Sequence, residues 1–489
     1  MFASTNSVAL VGIEPRPVRV EVHAGTAGDK FHLVGLPDTA IREAKERVKA
    51  ALRSSGFAPA HRNLTVNLSP ADIPKAGSAY DLPIALAVLA ATGQLEADPS
   101  GMVALGELAL DGKVRGTRGS LGAALVAKQS GSPCILPAGS ASEGALVENV
   151  EVVAVETLAD AVAAAQGHPR PLAISGPRET QEPADELGAV RGQLLARRAL
   201  EISAAGGHHL LMNGPPGAGK TMLARCLPGI LPSLEPDEAL EVAQAWAAAG
   251  RPIVRHGWAP FRSPHHSATA AAVLGGGSGI PVPGELTLAH RGILFLDELG
   301  EFPPHILNAL RQPLEEGSVL IARKGMSITF PCSVQLVAAT NPCPCGFSGD
   351  RVQPCTCSRG AVERYRRRLS GPLLDRFDLR VTVERLSSRE VTAEEGEPTS
   401  AVRTRVCAAR RIQSSRGGLN RDLRRSELDA HPVTSEARRL LDDAVDRFRL
   451  TARGWDRVRR VARTIADLAG EESVDATAVG EALSLRGVA

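Results

Sequence analysis

The sequence predicts an α/β protein: a small α/β domain with an antiparallel component, then a parallel-sheet phosphate-loop module with a helical C-terminal lid. Three observations carry that expectation. Gly214-Pro215-Pro216-Gly217-Ala218-Gly219-Lys220-Thr221 is a G-x-x-x-x-G-K-T phosphate loop, set between the short apolar run His209–Met212 and the helical stretch Met222–Leu227, which is expected to stop near Pro228. Gly292-Ile293-Leu294-Phe295-Leu296 is an apolar run ending in Asp297-Glu298. The C-terminal fifth keeps helical spacing at Ala437, Leu440, Leu441, Val445 and Phe448.

The loop's chemistry needs those residue types. Glycines let successive backbone N–H groups from Gly214 to Gly219 face a phosphate, and the following helix N-terminus adds partial positive charge. Lys220 is expected to reach the β- and γ-phosphates of ATP, and the Thr221 hydroxyl to hold Mg²⁺. The alternative, a Gly/Pro turn that binds nothing, does not explain the strand–loop–helix context. An apolar strand ending in Asp297-Glu298 is a weak signal alone. Beside the loop, it makes Asp297 the expected Mg²⁺ partner and Glu298 the expected base that orients the attacking water.

Bulk properties set limits. A chain of 489 residues allows about three domains, and 43% hydrophobic content supports packed cores. Aromatic residues are only 3%, so base stacking is not the main binding device. A net charge of +2 leaves nucleic-acid binding to local basic patches. The start of the chain lacks a signal-peptide pattern, and the apolar run from Leu82 to Ala91 is too short to span a bilayer. A soluble cytoplasmic protein is expected, with its eight cysteines serving as metal ligands or free thiols rather than disulfides.

Residues 1–165 are expected to form the first domain. Val18, Val20 and Val22 alternate with polar residues, as do Leu64, Val66 and Leu68. Asp38 can cap a helix through Ile41, Ala44, Val48 and Leu52, with Gly56 past its end. Pro74-Lys75-Ala76-Gly77 is a turn entering an apolar helix, and Gly106 to Val114 is a strand with a D-G turn signal. This P-K-x-G turn and the later Gly106-Glu107 strand resemble the Lon-type (S5-type) protease domain. Carried over, the family's serine falls on Ala79 and its lysine on Leu121, so the resemblance implies a fold without the catalytic dyad. Ser78 is one position early, which on a helix is about 100° of rotation.

Residues 166–189 read as a Pro/Gly/Glu/Ser-rich linker, and 190–388 as the nucleotide core. Phe261 to Ser267, with His265-His266, leads into Gly275-Gly276-Gly277-Ser278-Gly279, expected to be a mobile loop. Neighbouring histidines on an extended segment point to opposite sides, which argues against a shared metal. Leu314 to Phe330 reads as a β-hairpin with Arg323-Lys324-Gly325 at its tip. That basic tip is either solvated charge or, in a ring, a repeated DNA contact by Arg323 and Lys324.

Cys343, Cys345, Cys355 and Cys357 form C-x-C-x₉-C-x-C, four thiols in fifteen residues. Structural Zn²⁺ suits this set; redox chemistry and unligated thiols remain alternatives. Residues 389–489 are expected to open with an acidic loop and continue as a helical, Arg-rich lid.

Val334 to Asn341 resembles the sensor strand of AAA+ ATPases, and Gly371-Pro372-Leu373-Leu374-Asp375-Arg376-Phe377-Asp378 their arginine-finger segment. The likeness implies that Asn341 helps hold the attacking water and that Arg376 reaches a neighbouring subunit's γ-phosphate; the alternative for Arg376 is a salt bridge to Asp375 or Asp378. Arg453 falls on the second-sensor arginine, with Arg457 as fallback. Taken together, these segments resemble the magnesium-chelatase-like AAA+ family called YifB/ComM over nearly the whole chain. The resemblance implies an ATP- and Mg²⁺-dependent homo-oligomer, a hexameric ring acting as a DNA branch-migration helicase in natural transformation. Two other readings stand beside it. A protein-remodelling chelatase-type subunit would show no DNA stimulation, and an ATP-dependent protease is disfavoured by Ala79 and Leu121.

Overall fold

The computed structural model describes residues 1–35, 38–75, 77–174, 185–253, 256–277, 280–323, 326–350, 352–369, 371–387, 390, 392 and 394–487. Lys324 and Gly325 at the expected hairpin tip, Ser278 and Gly279, and 175–184 of the expected linker lie outside the described residues.

The N-terminal strands are β1 (Phe2–Val11), β2 (Glu14–Ala27), β3 (Phe31–Val34), β4 (Arg62–Ser69) and β5 (Val103–Ala104), then a separate hairpin of β6 (Glu107–Leu108) and β7 (Val114–Arg115), then β8 (Cys134–Pro137) and β9 (Val152–Val155). They form a mixed sheet in the order β3-β4-β2-β1-β5-β8-β9. β2 pairs antiparallel with β1 and β4, while β1, β5, β8 and β9 run parallel. The alternating residues Val18, Val20, Val22, Leu64, Val66 and Leu68 all point into one core with the helices Ala44–Ser54 and Asp81–Ala91. The helix expected from Asp38 is broken. Asp38 caps only the short turn Thr39–Arg42, through Oδ1 accepting the Ile41 N–H at 2.8 Å, while its Oδ2 accepts the Gly77 N–H at 2.9 Å.

The second sheet contains β10 (Leu210–Asn213) and β11 (Phe261–Arg262). A small pair, β12 (Gly275–Gly276) with β13 (Val282–Pro283), precedes β14 (Ile293–Leu296). The hairpin β15 (Ser318–Arg323) and β16 (Met326–Pro331) comes before β17 (Gln335–Thr340) and β18 (Leu379–Thr382). The order is β11-β14-β17-β10-β18, and every neighbouring pair is parallel. Both faces are covered, so the strands read as continuous apolar runs. Leu210, Met212, Phe295 and Val337 pack toward the helices Leu194–Gly206 and Lys220–Ile230 and the C-terminal helices; Leu211, Leu294, Leu296 and Leu336 pack toward Phe302, Ile306, Leu307 and Phe377.

Two expectations shift. The start of the Gly-rich run is a paired strand rather than a loop, because Gly275 and Gly276 form ladder pairs with Pro283 and Val282. Leu314 to Glu316 belong to the helix Arg311–Glu316, so the hairpin begins at Ser318. The hairpin touches the first sheet: a Cβ at Gly12, in the β1–β2 turn, would lie 2.5 Å from Ile328 Cγ2.

The C-terminal helices Thr399–Ser415, Ser435–Phe448, Ala452–Ala469 and Ala476–Ser484 are joined to the sheet by buried polar contacts. His208 Nε2 lies 2.8 Å from Thr464 Oγ1, and Asp378 Oδ2 accepts the His209 N–H at 3.2 Å. Burial opposes charge on Asp378, yet His208, His209 and Arg457 hold its carboxyl well below the usual range. Among the described residues, no helix is long and apolar enough to cross a membrane.

The His209 Nδ1 accepts the Leu336 N–H at 2.9 Å, which requires a neutral ring, and burial pushes this imidazole from 6.5 down to about 3. The unfolded chain then binds more protons between those values, so stability is lost as pH falls from 6.5 toward about 3. His209→Asn keeps an acceptor that does not titrate. The denaturant midpoint of that variant is expected to change less between about pH 6.5 and pH 5 than the parent's; equal slopes would remove His209 from the acid response.

Candidate functional site

Three adjacent strands deliver the site. The phosphate loop leaves the carboxyl end of β10, Asp297-Glu298 leave β14, and Asn341 leaves β17 between them. Gly214 allows close passage beside β18: a Cβ there would sit 2.1 Å from the Val383 carbonyl oxygen. Gly217 and Gly219 have φ of +76° and +90°, the left-handed region that glycine enters without strain. The helix then starts at Lys220 and runs to Ile230, through Pro228 rather than stopping there; buried Leu227 and Ile230 hold the last turn.

Lys220 is buried. Its Nζ donates to the carbonyls of Gly214 and Pro215, at 2.7 and 2.9 Å, and to Asn341 Oδ1 at 3.2 Å. Burial lowers its pKa, against the opposing fields of Asp297 and Glu298. The Thr221 hydroxyl donates to Asp297 Oδ2 at 2.8 Å. A hydroxyl beside a carboxylate is the oxygen donor set that a hard divalent cation takes. Glu298 is exposed and its backbone is left-handed, with φ of 52°, directly after β14 and Asp297.

Sequence reasoning missed the partner of Glu298. His266 Nδ1 lies 3.1 Å from Glu298 Oε2, and the His266 ring meets Phe302 edge-on at 6.4 Å between centroids. His265 Nδ1 lies 2.7 Å from Ser267 Oγ, yet the two imidazole rings lie side by side at 4.1 Å between centroids rather than on opposite sides as an extended segment would place them. Nothing local in the sequence signals a contact across more than thirty residues.

The remaining expected residues fall in separate places. Arg376 Nη2 binds Glu315 Oε1 at 2.6 Å and its Nε donates to the Arg311 carbonyl, so its acid partner is neither Asp375 nor Asp378. Asp378 instead faces Arg457 at 3.6 Å. Arg453 is exposed in the first turn of the Ala452–Ala469 helix, and its charge, with that of Arg457, is felt at Arg376. Arg323 is exposed at the end of β15. In the N-terminal region, Leu121 is buried on the helix Ser120–Ser130 and Ser78 bonds Glu107.

The four cysteines converge. Cys343, Cys345 and Cys355 have sulfur separations of 3.4, 3.6 and 3.5 Å, and all four sulfurs lie within 4.8 Å of one another. A disulfide needs about 2.05 Å; a tetrahedron of sulfurs about 2.3 Å from one zinc ion has edges of about 3.8 Å. The Ser348 N–H donates to Cys343 Sγ and the Cys345 N–H to Cys357 Sγ, both at 3.3 Å, contacts that suit thiolates. The cluster sits on the phosphate loop: a Cβ at Gly346 would lie 2.4 Å from Pro216 Cδ. By contrast, burial pushes the thiols of Cys134, Cys226 and Cys332 up to about 12, as for packing residues.

A lysine-bearing loop opposite two acids on a five-stranded parallel sheet defines a phosphate-loop nucleotide module, and similarity to known families says of which type. The family described as "Magnesium chelatase, subunit ChlI" matches residues 186–391, "Subunit ChlI of Mg-chelatase" matches 20–140, and "Magnesium chelatase, subunit ChlI C-terminal" matches 396–486. The competence protein ComM of Haemophilus influenzae is 41% identical over 501 residues, covering 99% of this chain and 97% of that protein. An uncharacterized protein of Mycobacterium tuberculosis is 42% identical over 494 residues, covering 98% and 97%. The uncharacterized protein YifB of Escherichia coli is 40% identical over 493 residues, covering 98% and 96%. The chain belongs to the YifB/ComM family of magnesium-chelatase-like AAA+ proteins.

The His266–Glu298 pair makes a direct prediction. If Glu298 is the base expected from the sequence, its contact with His266 competes with that role. A partly exposed polar contact of this kind is worth at most about 1 kcal/mol, so His266→Ala is expected to raise basal ATP turnover by up to about fivefold. A fall in turnover with unchanged nucleotide affinity would instead make His266 a positioning residue for Glu298.

Proposed function

We propose that this protein is a ring-forming, ATP-driven motor that acts on DNA, a branch-migration helicase of the kind used in recombination or natural transformation. The observation that carries the ATPase half is the convergence of Lys220, Thr221, Asp297, Glu298 and Asn341 at one sheet edge. In this reading Lys220 exchanges its loop carbonyls for the β- and γ-phosphates, and Glu298 orients the attacking water with help from Asn341. Thr221 and Asp297 hold Mg²⁺, which supplies charge neutralisation at the phosphates. Arg376 exchanges Glu315 for the γ-phosphate of a neighbouring subunit, and Arg453 serves as the second sensor. Residues 1–165, 190–388 and 389–489 act as a dyad-less Lon-like domain, the ATPase core and the lid, with 166–189 between the first two.

The DNA half is supported by the ComM relative, named a competence protein, and by the exposed Arg323 at the end of β15, with Lys324 next to it in sequence. A second reading, a protein-remodelling chelatase-type subunit, is favoured by the family descriptions themselves. ATP hydrolysis measured with and without four-way-junction DNA separates the two. Strong stimulation, abolished in Lys220→Ala and weakened in Arg323→Ala, is expected. Turnover indifferent to every DNA tested would favour remodelling of protein.

The thiolate set fits one structural Zn²⁺ held by Cys343, Cys345, Cys355 and Cys357. Elemental analysis of the purified chain is expected to find about one zinc per subunit, lost in Cys345→Ser/Cys355→Ser. Metal-free protein with unchanged folding would leave redox chemistry or free thiols.

A further inference from the structure

The second cysteine pair leads directly into the helix Arg359–Arg368, whose first turn is capped by Ser358 Oγ accepting the Ala361 N–H at 3.3 Å. Its sequence, RGAVERYRRR, holds five arginines and one glutamate, a net +4 (five minus one) in a chain whose total is +2. All five arginines are exposed; Tyr365 is the buried residue, with Ala361 and Val362 half-buried beside it. At about 100° per residue, Arg367 and Arg359 lie most nearly opposite Tyr365, Arg364 and Arg366 lie on the two flanks, and Arg368 lies nearer the Tyr365 side.

Several of the arginines that follow are paired, although among the described residues Arg438, Arg439 and Arg447 have no ion pair either. Arg405 pairs with Glu201 and Glu397, Arg416 and Arg463 with Asp467, Arg424 with Glu427, and Arg459 with Asp429. Among the described residues, none of the five on Arg359–Arg368 has an ion pair. The helix dipole accommodates cations in the last turn but opposes Arg359 at the start, so helix stability does not explain the whole set.

The helix is also seated on the ATP machinery. A Cβ at Gly300, two residues past Glu298, would lie 2.4 Å from Tyr365 Cζ, and the Tyr365 hydroxyl lies 3.4 Å from Thr340 Oγ1, next to Asn341.

We propose that the outward face of Arg359–Arg368 binds the sugar–phosphate backbone of nucleic acid, an inference that rests on the DNA reading above. Guanidinium forks match phosphate oxygens, and the outward face carries no aromatic residue, so the contact reads backbone rather than base. Ten residues at about 1.5 Å each span about 15 Å, long enough for the guanidinium forks to reach several phosphates of one strand.

The test is fluorescence anisotropy of labelled single-stranded and four-way-junction DNA with the full chain, titrated over salt. The variant is Arg359→Gln/Arg364→Gln/Arg367→Gln, with the matching triple lysine variant as rescue. The glutamine variant is expected to bind at least about tenfold more weakly and to lose about two to three units of the log–log salt slope; the lysine variant is expected to recover most of that slope. If the parent binds DNA and the glutamine variant matches it in affinity and slope, this helix is not the surface, while the DNA reading survives. If the parent binds no DNA, that reading falls and the proposal with it. If the variant keeps DNA binding but loses assembly or ATP turnover, the arginines face a neighbouring subunit and the proposal is wrong.

Discussion

A buried ammonium group must be met by acceptors, and the nucleotide site is arranged around that requirement. Lys220 is buried under the loop, so its protons go to two loop carbonyls and to Asn341. The third acceptor is available only because β17 lies between β10 and β14. Parallel register sets Asn213 opposite Thr340 and Leu296 opposite Ala338, and this carries Asn341 to the lysine and Asp297 to Thr221. A slip of one residue would reverse every side chain in the strand and remove both contacts. The apolar residues that pin the register therefore do as much for the site as its charged groups.

The same segment ties the thiol cluster to the loop. From Thr340 onward the chain gives its carbonyl to the Gly214 N–H, Asn341 to Lys220, Cys343 to the cluster, and Gly346 to the face of Pro216. A crosslink among the thiols would thus restrain the wall of the site. It would also restrain the path to Arg376, because the second cysteine pair leads into the Tyr365 helix.

What could be read in advance was what is encoded locally. The phosphate loop, the apolar strand before Asp297, the alternation around Val20 and Val66, and the thiol spacing each fit within about fifteen residues, and each took the expected form. What escaped was pairing at a distance. Glu298 with His266 and Arg376 with Glu315 join residues whose own neighbourhoods give no hint of the other. Gly275-Gly276 looked like a loop because glycine has no strand preference, and it pairs only because Val282-Pro283 runs alongside. Around residues 74–77, Ser78 is hydrogen-bonded to Glu107 and Lys75 to the Pro70 carbonyl, pairings that the local sequence does not announce either.

The turn at Gly12 has a mechanical meaning. No side chain fits there because Ile328 of the hairpin fills the space, and Phe330 lies within van der Waals reach. A hairpin pressed against that turn has a backstop. Moving it away would leave the Ile328 methyl without its contact at Gly12, and moving it closer would press that methyl into the turn backbone. The first sheet, whatever chemistry it has or lacks, thereby packs against the hairpin that carries Arg323.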